Sequence, residues 1–163
     1  MKAIVISDSH LKSPEKLTWL ARKHTDASMI IHAGDYTDSS VLTFLQSQQA
    51  FWGVWGNVDS DRIKSTLPEK RVFPLASYQV GLYHGHGTGG TTADRAFRAF
   101  ANENVDIIIF GHSHQPCIFT RNKIIMLNPG SITAKRKERW FSYIVLDLEP
   151  TGVSARLVFL NDC

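Results

Sequence analysis

The sequence predicts a four-layer α/β sandwich, in which two mixed sheets pack face to face with helices outside them. Three observations carry this. Apolar runs of strand length recur at Ala3 to Ile6, Met29 to Ile31, Phe51 to Trp55, Tyr78 to Tyr83 and Asp106 to Phe110. Stretches with helical spacing separate several of them. From Cys117 onward, strands alternate with turns and no helix is evident. The first part therefore builds a mostly parallel sheet, and the tail adds antiparallel strands, as a second sheet packed on the first requires.

The elements follow in order. Ala3 to Ser7 is continuously apolar and β-branched, the pattern of a buried strand. Ser13, Pro14 and Glu15 form a helix start, with proline suited to the first helical position and Leu17, Leu20 and Ala21 on one face. Ser28 to Ala33 is the next strand, and a helix over Val41 to Gln48 buries Val41, Leu42 and Leu45. Phe51 to Trp55 is a third strand, while Ile63 to Pro68 reads as a short irregular connection. Arg71 to Leu75 and Tyr78 to Tyr83 form a hairpin through Ala76 and Ser77. After the glycine-rich loop Gly85 to Gly90, Thr91 or Thr92 caps a helix from Ala93 to Glu103. Its buried side carries Ala96, Phe97 and Phe100, so Arg95 and Arg98 point elsewhere. Asp106 to Phe110 is a buried strand, and the tail turns at Arg121-Asn122, Asn128 to Gly130 and Glu149 to Gly152.

A chain of 163 residues, 43% hydrophobic and 20% charged, is the size of one ordinary domain, so residues 1-163 are expected to form a single domain. The net charge of +3 is mild, which permits an anionic substrate but is weak for a nucleic-acid binder. No apolar stretch reaches the roughly 20 residues of a membrane helix. Met1-Lys2 leads straight into a strand, with no signal-peptide pattern. Cys117 and Cys163 have neither zinc-knuckle nor disulfide spacing and read as free thiols of a reducing, cytoplasmic compartment.

The chemistry lies in five short motifs: Asp8-Ser9-His10, Gly34-Asp35, Gly56-Asn57-Val58-Asp59, His84-Gly85-His86 and Gly111-His112-Ser113-His114. Each follows one of the apolar runs, and loops at the carboxyl ends of strands are where α/β sheets bind ligands. Carboxylate and imidazole donors suit manganese, iron, zinc or nickel, whereas an all-oxygen set suits magnesium or calcium. Two ions need a bridging ligand, and Asp35 is the candidate. Two divalent ions against Asp8 and Asp35 leave a cationic site that attracts phosphate, and a water shared by them deprotonates near neutral pH. A serine or cysteine nucleophile is not needed.

Other residues are assigned blander roles. Asp59 either orients a ligand histidine or caps a helix, His32 is a satisfied core or supporting histidine, and His24 lies on the solvated surface. Lys135, Arg136, Lys137 and Arg139 beside Trp140 read as a solvated loop. Phe51, Trp52 and Trp55 read as core or an edge contact. Gly85 to Gly90 lacks the lysine of a phosphate loop and instead lets backbone approach the metals.

Through these five motifs, and through Asn128-Pro129-Gly130-Ser131, the chain resembles the calcineurin-like metallophosphoesterases, and within them the small YfcE-like phosphodiesterases. The resemblance implies the metallophosphoesterase fold, and Asp8, His10, Asp35 and His114 around one divalent ion. It places Asp35, Asn57, His84 and His112 around the other. Manganese heads the choice of metal, with iron, nickel or zinc the alternatives. Asn57 and His86 are the catalytic candidates, His86 facing the substrate. The expected reaction is hydrolysis of a phosphodiester in a small phosphorylated substrate, by in-line attack of a hydroxide bridging the two ions. Neither a membrane nor nucleic acid is an expected partner, and a homodimer is compatible with the sequence. The alternatives are a phosphomonoesterase and a non-catalytic scaffold like the retromer subunit of this fold. Val58 departs from the broader superfamily, many of whose members carry there a histidine that protonates the leaving group. That function then falls to His86 or water, or else good leaving groups react best.

Overall fold

A computed structural model describes residues 1–162 of the chain, so Cys163 lies outside the described residues. Strand β1 (Lys2–Ile6) leads through a 3-10 turn at Glu15–Leu17 into helix α1 (Thr18–Lys23), and then into strand β2 (Met29–His32). Helix α2 (Ser39–Gln48), strand β3 (Ala50–Gly53) and helix α3 (Asp61–Thr66) follow. Strands β4 (Lys70–Leu75) and β5 (Tyr78–Tyr83) precede helix α4 (Thr92–Ala99) and strand β6 (Ile107–Ile109). Strands β7 (Cys117–Arg121), β8 (Ile124–Asn128), β9 (Phe141–Glu149) and β10 (Gly152–Leu160) complete the order.

The strands form two mixed sheets in the orders β10-β9-β1-β2-β3 and β4-β5-β6-β8-β7. Alternation along β1 shows how the layers arise, since successive side chains point to opposite faces. Ala3 and Val5 face the other sheet, where they join Ile31, Val80, Leu82, Ile107, Ile109, Leu127 and Ile144 in the inter-sheet core. Ile4 and Ile6 face outward and pack with Leu17, Leu20, Val41, Leu45 and Ile63 from the helical segments. On the far side, Ala96 of α4 and Phe100 just after it cover Ile108 and Met126. The expected four layers are present.

The tail does not make a sheet of its own, contrary to the sequence reading. Strands β7 and β8 complete the second sheet, β8 running parallel to β6, while β9 returns antiparallel to β1 with Ala3 opposite Leu146. That pairing satisfies the otherwise open edge of β1 and buries Ile144 and Leu146 between the sheets. The hairpin β4-β5 opens the second sheet and does not extend the first. Pro74 sits where a ladder donor is dispensable, on an edge strand.

Ile63 to Pro68 is not wholly irregular, because it overlaps α3, whose six residues bury Ile63. Such a helix is too short to show periodicity. Helix α4 starts as expected at a capping box between Thr91 and Asp94, yet stops at Ala99 where the backbone of Phe100 leaves helical geometry. Among the described residues, no helix is long and apolar enough to cross a membrane.

Candidate metal centre

The first four of the sequence motifs leave β1, β2, β3 and β5, and the fifth leaves β6, so all five loops emerge from carboxyl ends of strands. Two groups of donors result. Asp8, His10 and His114 offer ligand atoms within 4.8 Å of one another, and so do Asp35, His84 and His112. The groups adjoin, since Asp35 Oδ2 lies 3.2 Å from His84 Nε2 and 3.7 Å from His10 Nε2.

Each carboxylate has one oxygen anchored and the other aimed. Asp8 Oδ2 accepts from the Ser7 hydroxyl at 2.6 Å and from the His112 N–H at 3.0 Å, while its Oδ1 is buried with no hydrogen-bond partner. Asp35 Oδ1 accepts from the Val58 N–H at 3.2 Å, which leaves Oδ2 toward the histidines.

The histidines are set the same way. His84 Nδ1 lies 2.7 Å from the Ala33 carbonyl, and His114 Nδ1 contacts the Ala134 carbonyl. A carbonyl only accepts, so both Nδ1 atoms carry a proton and both Nε2 atoms are turned toward the carboxylates. His114 Nε2 is 3.1 Å from the unpartnered Asp8 Oδ1, and His84 Nε2, itself unpartnered, is 3.2 Å from Asp35 Oδ2. Each pair is joined by a cation, either a proton on Nε2 or a metal ion in its place, and a carbonyl-oriented imidazole is the usual arrangement of a metal-ligating histidine. The donor set therefore fits divalent ions.

Without a metal ion the carboxylates favour a proton on His84 instead. Burial works against the Asp35 charge, but the adjoining His84, the Val58 N–H and His10 outweigh it and hold the carboxyl at about 2. Asp8 is also lowered against its burial, by His114 and His84. For His84 burial again opposes charge, yet the Asp35 and Asp8 carboxylates raise its pKa. Burial and the His84 charge push His112 down to about 4.

The backbone is strained at these ligands. Asp8, His10, Asp35, His112 and His114 all have positive φ, between 44° and 66°, a region costly for residues with a Cβ. Glycine supplies the space beside them. A Cβ on Gly111 would overlap Ser7 Oγ and come within 2.7 Å of Asp8 Oδ2, and one on Gly56 would overlap Asp35 Oδ1.

Asp59 fills neither role expected of it. Ser60 is the N-cap position of α3, and the buried Asp59 carboxylate instead accepts the backbone N–H groups of Asp35, Tyr36, Thr37 and Gly56, at 2.7 to 3.0 Å. It ties the Asp35 loop to the Asn57 loop. Asn128 and Ser131 act similarly elsewhere. Asn128 Nδ2 donates to the Gly111 carbonyl, and the Ser131 hydroxyl to the Asp8 carbonyl. Gly-x-x-Asp spacing was the visible signal for Asp59, but its backbone targets were not legible.

Asn57 lies exposed in the loop before Val58, outside the two donor groups, which comprise acidic and histidine residues. His86 stands to one side among Trp55, Tyr83 and His84, with ring centroids 5.1, 5.3 and 5.7 Å away, and its Nε2 is 3.6 Å from Glu69. His32 is a satisfied core histidine, completely buried, which accepts the Gly34 N–H and lies 3.0 Å from Ser9 Oγ. His24 is not free in solvent, because its Nε2 lies 2.9 Å from the hydroxyl of the buried Tyr143. Arg95 and Arg98 pin the glycine loop through the carbonyls of Gly85, Gly89 and Gly90. Cys117 is a free thiol whose pKa burial raises.

Buried carboxylates and imidazoles gathered at strand ends between two packed sheets define an α/β metal-binding protein. The sequence profile of the calcineurin-like phosphoesterase superfamily domain matches residues 1–151, and the chain belongs to that family. A relative from Methanothermobacter thermautotrophicus, described as a probable metallophosphoesterase, is 36% identical over 81% of this chain and 77% of its own length. The solved structure of an archaeal phosphodiesterase shares the fold with a TM-score of 0.77 at 20% identity, over 98% of this chain and all of the other. So does Vps29 of Entamoeba histolytica complexed with zinc, with a TM-score of 0.75 at 22% identity, over 98% and 99%.

Proposed function

We propose that the protein is a divalent-metal-dependent phosphodiesterase acting on a small phosphorylated substrate. One observation carries the reading: two buried histidine–carboxylate pairs, His114 Nε2 with Asp8 Oδ1 and His84 Nε2 with Asp35 Oδ2, lie at 3.1 and 3.2 Å with both Nδ1 atoms committed to carbonyls.

In this reading Asp8, His10, Asp35 and His114 hold one ion, and Asp35, Asn57, His84 and His112 the other. Such ions supply an activated water and neutralise charge developing on phosphoryl oxygens. The chain's own groups do the rest. The exposed Asn57 amide offers N–H donors to a phosphate oxygen without adding negative charge. His86 borders the substrate with Trp55 and Tyr83, and Val58 gives no proton to the leaving oxygen. A diester, which carries one negative charge, suits a site with few extra cations.

The test is turnover of a bis-aryl phosphodiester and the matching monoester with manganese, iron, nickel and zinc, for wild type and Asp35→Asn. Faster diester turnover, lost in the variant, is expected. Inactivity with every metal would favour an interaction scaffold, a reading that the likeness to Vps29 keeps in view.

A further inference from the structure

Helix α4 brings a pair of arginines to the edge of the metal centre. Arg95 and Arg98 are three residues apart, so they share one side of the helix, and both reach the glycine loop that precedes it. Arg95 is half-buried. It donates from Nε to the Gly85 carbonyl and from Nη1 to the Gly90 carbonyl, both at 2.8 Å, and from Nη2 to the Thr92 hydroxyl at 3.1 Å. The exposed Arg98 donates from Nη2 to the Gly89 carbonyl at 2.6 Å. These contacts fix where both guanidinium groups stand.

Loop and helix together line an open hollow of about 380 Å³, whose walls include both arginines, Tyr83, His86 and Thr88. The hollow adjoins the ligands. Gly85, whose carbonyl Arg95 holds, stands between His84 and His86, and the centroids of those two rings are 5.7 Å apart. The Tyr83 hydroxyl donates to the His86 carbonyl at 2.7 Å, which steadies the wall between the hollow and the Asp35, His84 and His112 group.

No carboxylate balances the two cations. Asp94 pairs with Arg121 at 2.7 Å, Glu103 with Lys70 at 3.8 Å, and Glu69 faces His86 from 3.6 Å, so among the described residues Arg95 and Arg98 have no ion pair. Carbonyls orient a guanidinium without neutralising it, and like charges at this helical spacing repel. An anion held by both would offset that repulsion. Of its five N–H donors Arg98 spends one on the loop, and guanidinium forks match the several oxygens of a phosphate group. We infer that the hollow is a second anion site, in which Arg98, beside the loop-holding Arg95, binds a phosphate of the substrate other than the one hydrolysed. The substrate class is then a small phosphodiester that carries a further phosphate on one of its alcohol groups. This rests on the phosphodiesterase reading and narrows it.

Two compounds with the same scissile bond test it: the nitrophenyl ester of thymidine 5′-phosphate, and that ester carrying an additional 3′-phosphate. Wild type is expected to prefer the second by roughly tenfold in kcat/KM, mainly through KM, and Arg98→Gln to lose the preference. Lys123→Gln, at an exposed position on the turn between β7 and β8, controls for net charge. Calorimetry on the manganese-loaded protein should show the same contrast without turnover: thymidine 3′,5′-bisphosphate binds more tightly than thymidine 5′-phosphate in wild type, and no more tightly in Arg98→Gln. No preference in wild type, equal losses on both compounds in Arg98→Gln, as from a loosened glycine loop, or an equal effect of Lys123→Gln would each overturn the inference. If wild type hydrolyses neither compound with any metal while the binding contrast is present and Arg98→Gln removes it, the phosphodiesterase reading fails and the anion site stands.

Discussion

The carboxylate of Asp59 receives the backbone N–H of Asp35 at 3.0 Å, so the residue best placed to join the two donor groups is held through its main chain. The same carboxylate also takes Gly56 N–H at 2.7 Å, which locks the loops after β2 and β3 together. Asp59→Ala would leave four buried N–H groups without an acceptor. We expect a stability loss of about 1–3 kcal/mol by urea unfolding. Metal affinity should fall roughly 10–100-fold by calorimetry, as for other residues that orient ligands. Unchanged affinity in a folded Asp59→Ala protein would mean the loops hold themselves.

Metal should stabilise the fold by mass action. At one hundred times its Kd, a bound ion stabilises by about 2.7 kcal/mol, visible as a rise in melting temperature. Manganese is expected to raise the Tm of wild type and to raise that of Asp35→Asn much less, because Asp35 faces both groups. Gly111→Ala should behave like Asp35→Asn for a different reason, since its methyl group displaces Ser7 and Asp8. Equal shifts in all three proteins would place the ion elsewhere.

Acid should weaken the metal-free fold through His32. Burial holds this ring neutral, with a folded pKa of about 3 against an ordinary 6.5. The unfolded chain therefore binds more protons in this window, and stability falls as pH drops from about 6.5 toward about 3. Asp35 adds a second loss lower down, between its ordinary 3.8 and about 2. Urea midpoints measured from pH 7 to pH 4 should decline in wild type and decline less in His32→Gln. Parallel curves would assign the acid sensitivity to other groups.

The cap of α4 is a smaller, separable contribution. Thr91 Oγ1 accepts the Asp94 N–H at 3.1 Å, and the Asp94 carboxylate takes the Thr91 N–H at 2.9 Å in return. Thr91→Ala is expected to cost about 1 kcal/mol, within the range for caps of this kind. Thr91→Ser should recover most of it. A serine variant as unstable as the alanine one would show that the methyl group matters more than the hydrogen bond.

The legible parts of the sequence were those where one residue type has one physical use. Apolar runs ending in Asp or His marked strand ends, and strand ends are where β1, β2, β5 and β6 deliver Asp8, Asp35, His84 and His112. Sheet membership was hidden, because nothing in the sequence of β9 tells that its partner is β1, more than a hundred residues away. Helix α3 was not legible, since six residues hold too little periodicity. The roles of Asp59 and His24 depend on partners distant in sequence, the backbone of Asp35 and the hydroxyl of Tyr143, which local pattern cannot supply.

Val58 offers the sharpest test of the leaving-group chemistry. Its side chain is 48% exposed and its N–H donates to Asp35 Oδ1, so the position can take a larger polar side chain with the backbone contact intact. In the proposed mechanism nothing at this position protonates the leaving oxygen, and turnover should depend steeply on leaving-group pKa. Val58→His restores the residue that the broader superfamily pattern carries. A positioned general acid contributes typically 10²–10⁴-fold, and an engineered one less, so a gain of roughly tenfold is expected for alkyl diesters. Aryl diesters, whose leaving groups need no proton, should gain little. The check is the slope of log kcat/KM against leaving-group pKa, shallower in the variant than in wild type. A wild-type slope already shallow would assign the acid to a residue present in the chain, and His86, beside Trp55 and facing Glu69, would be the first to substitute.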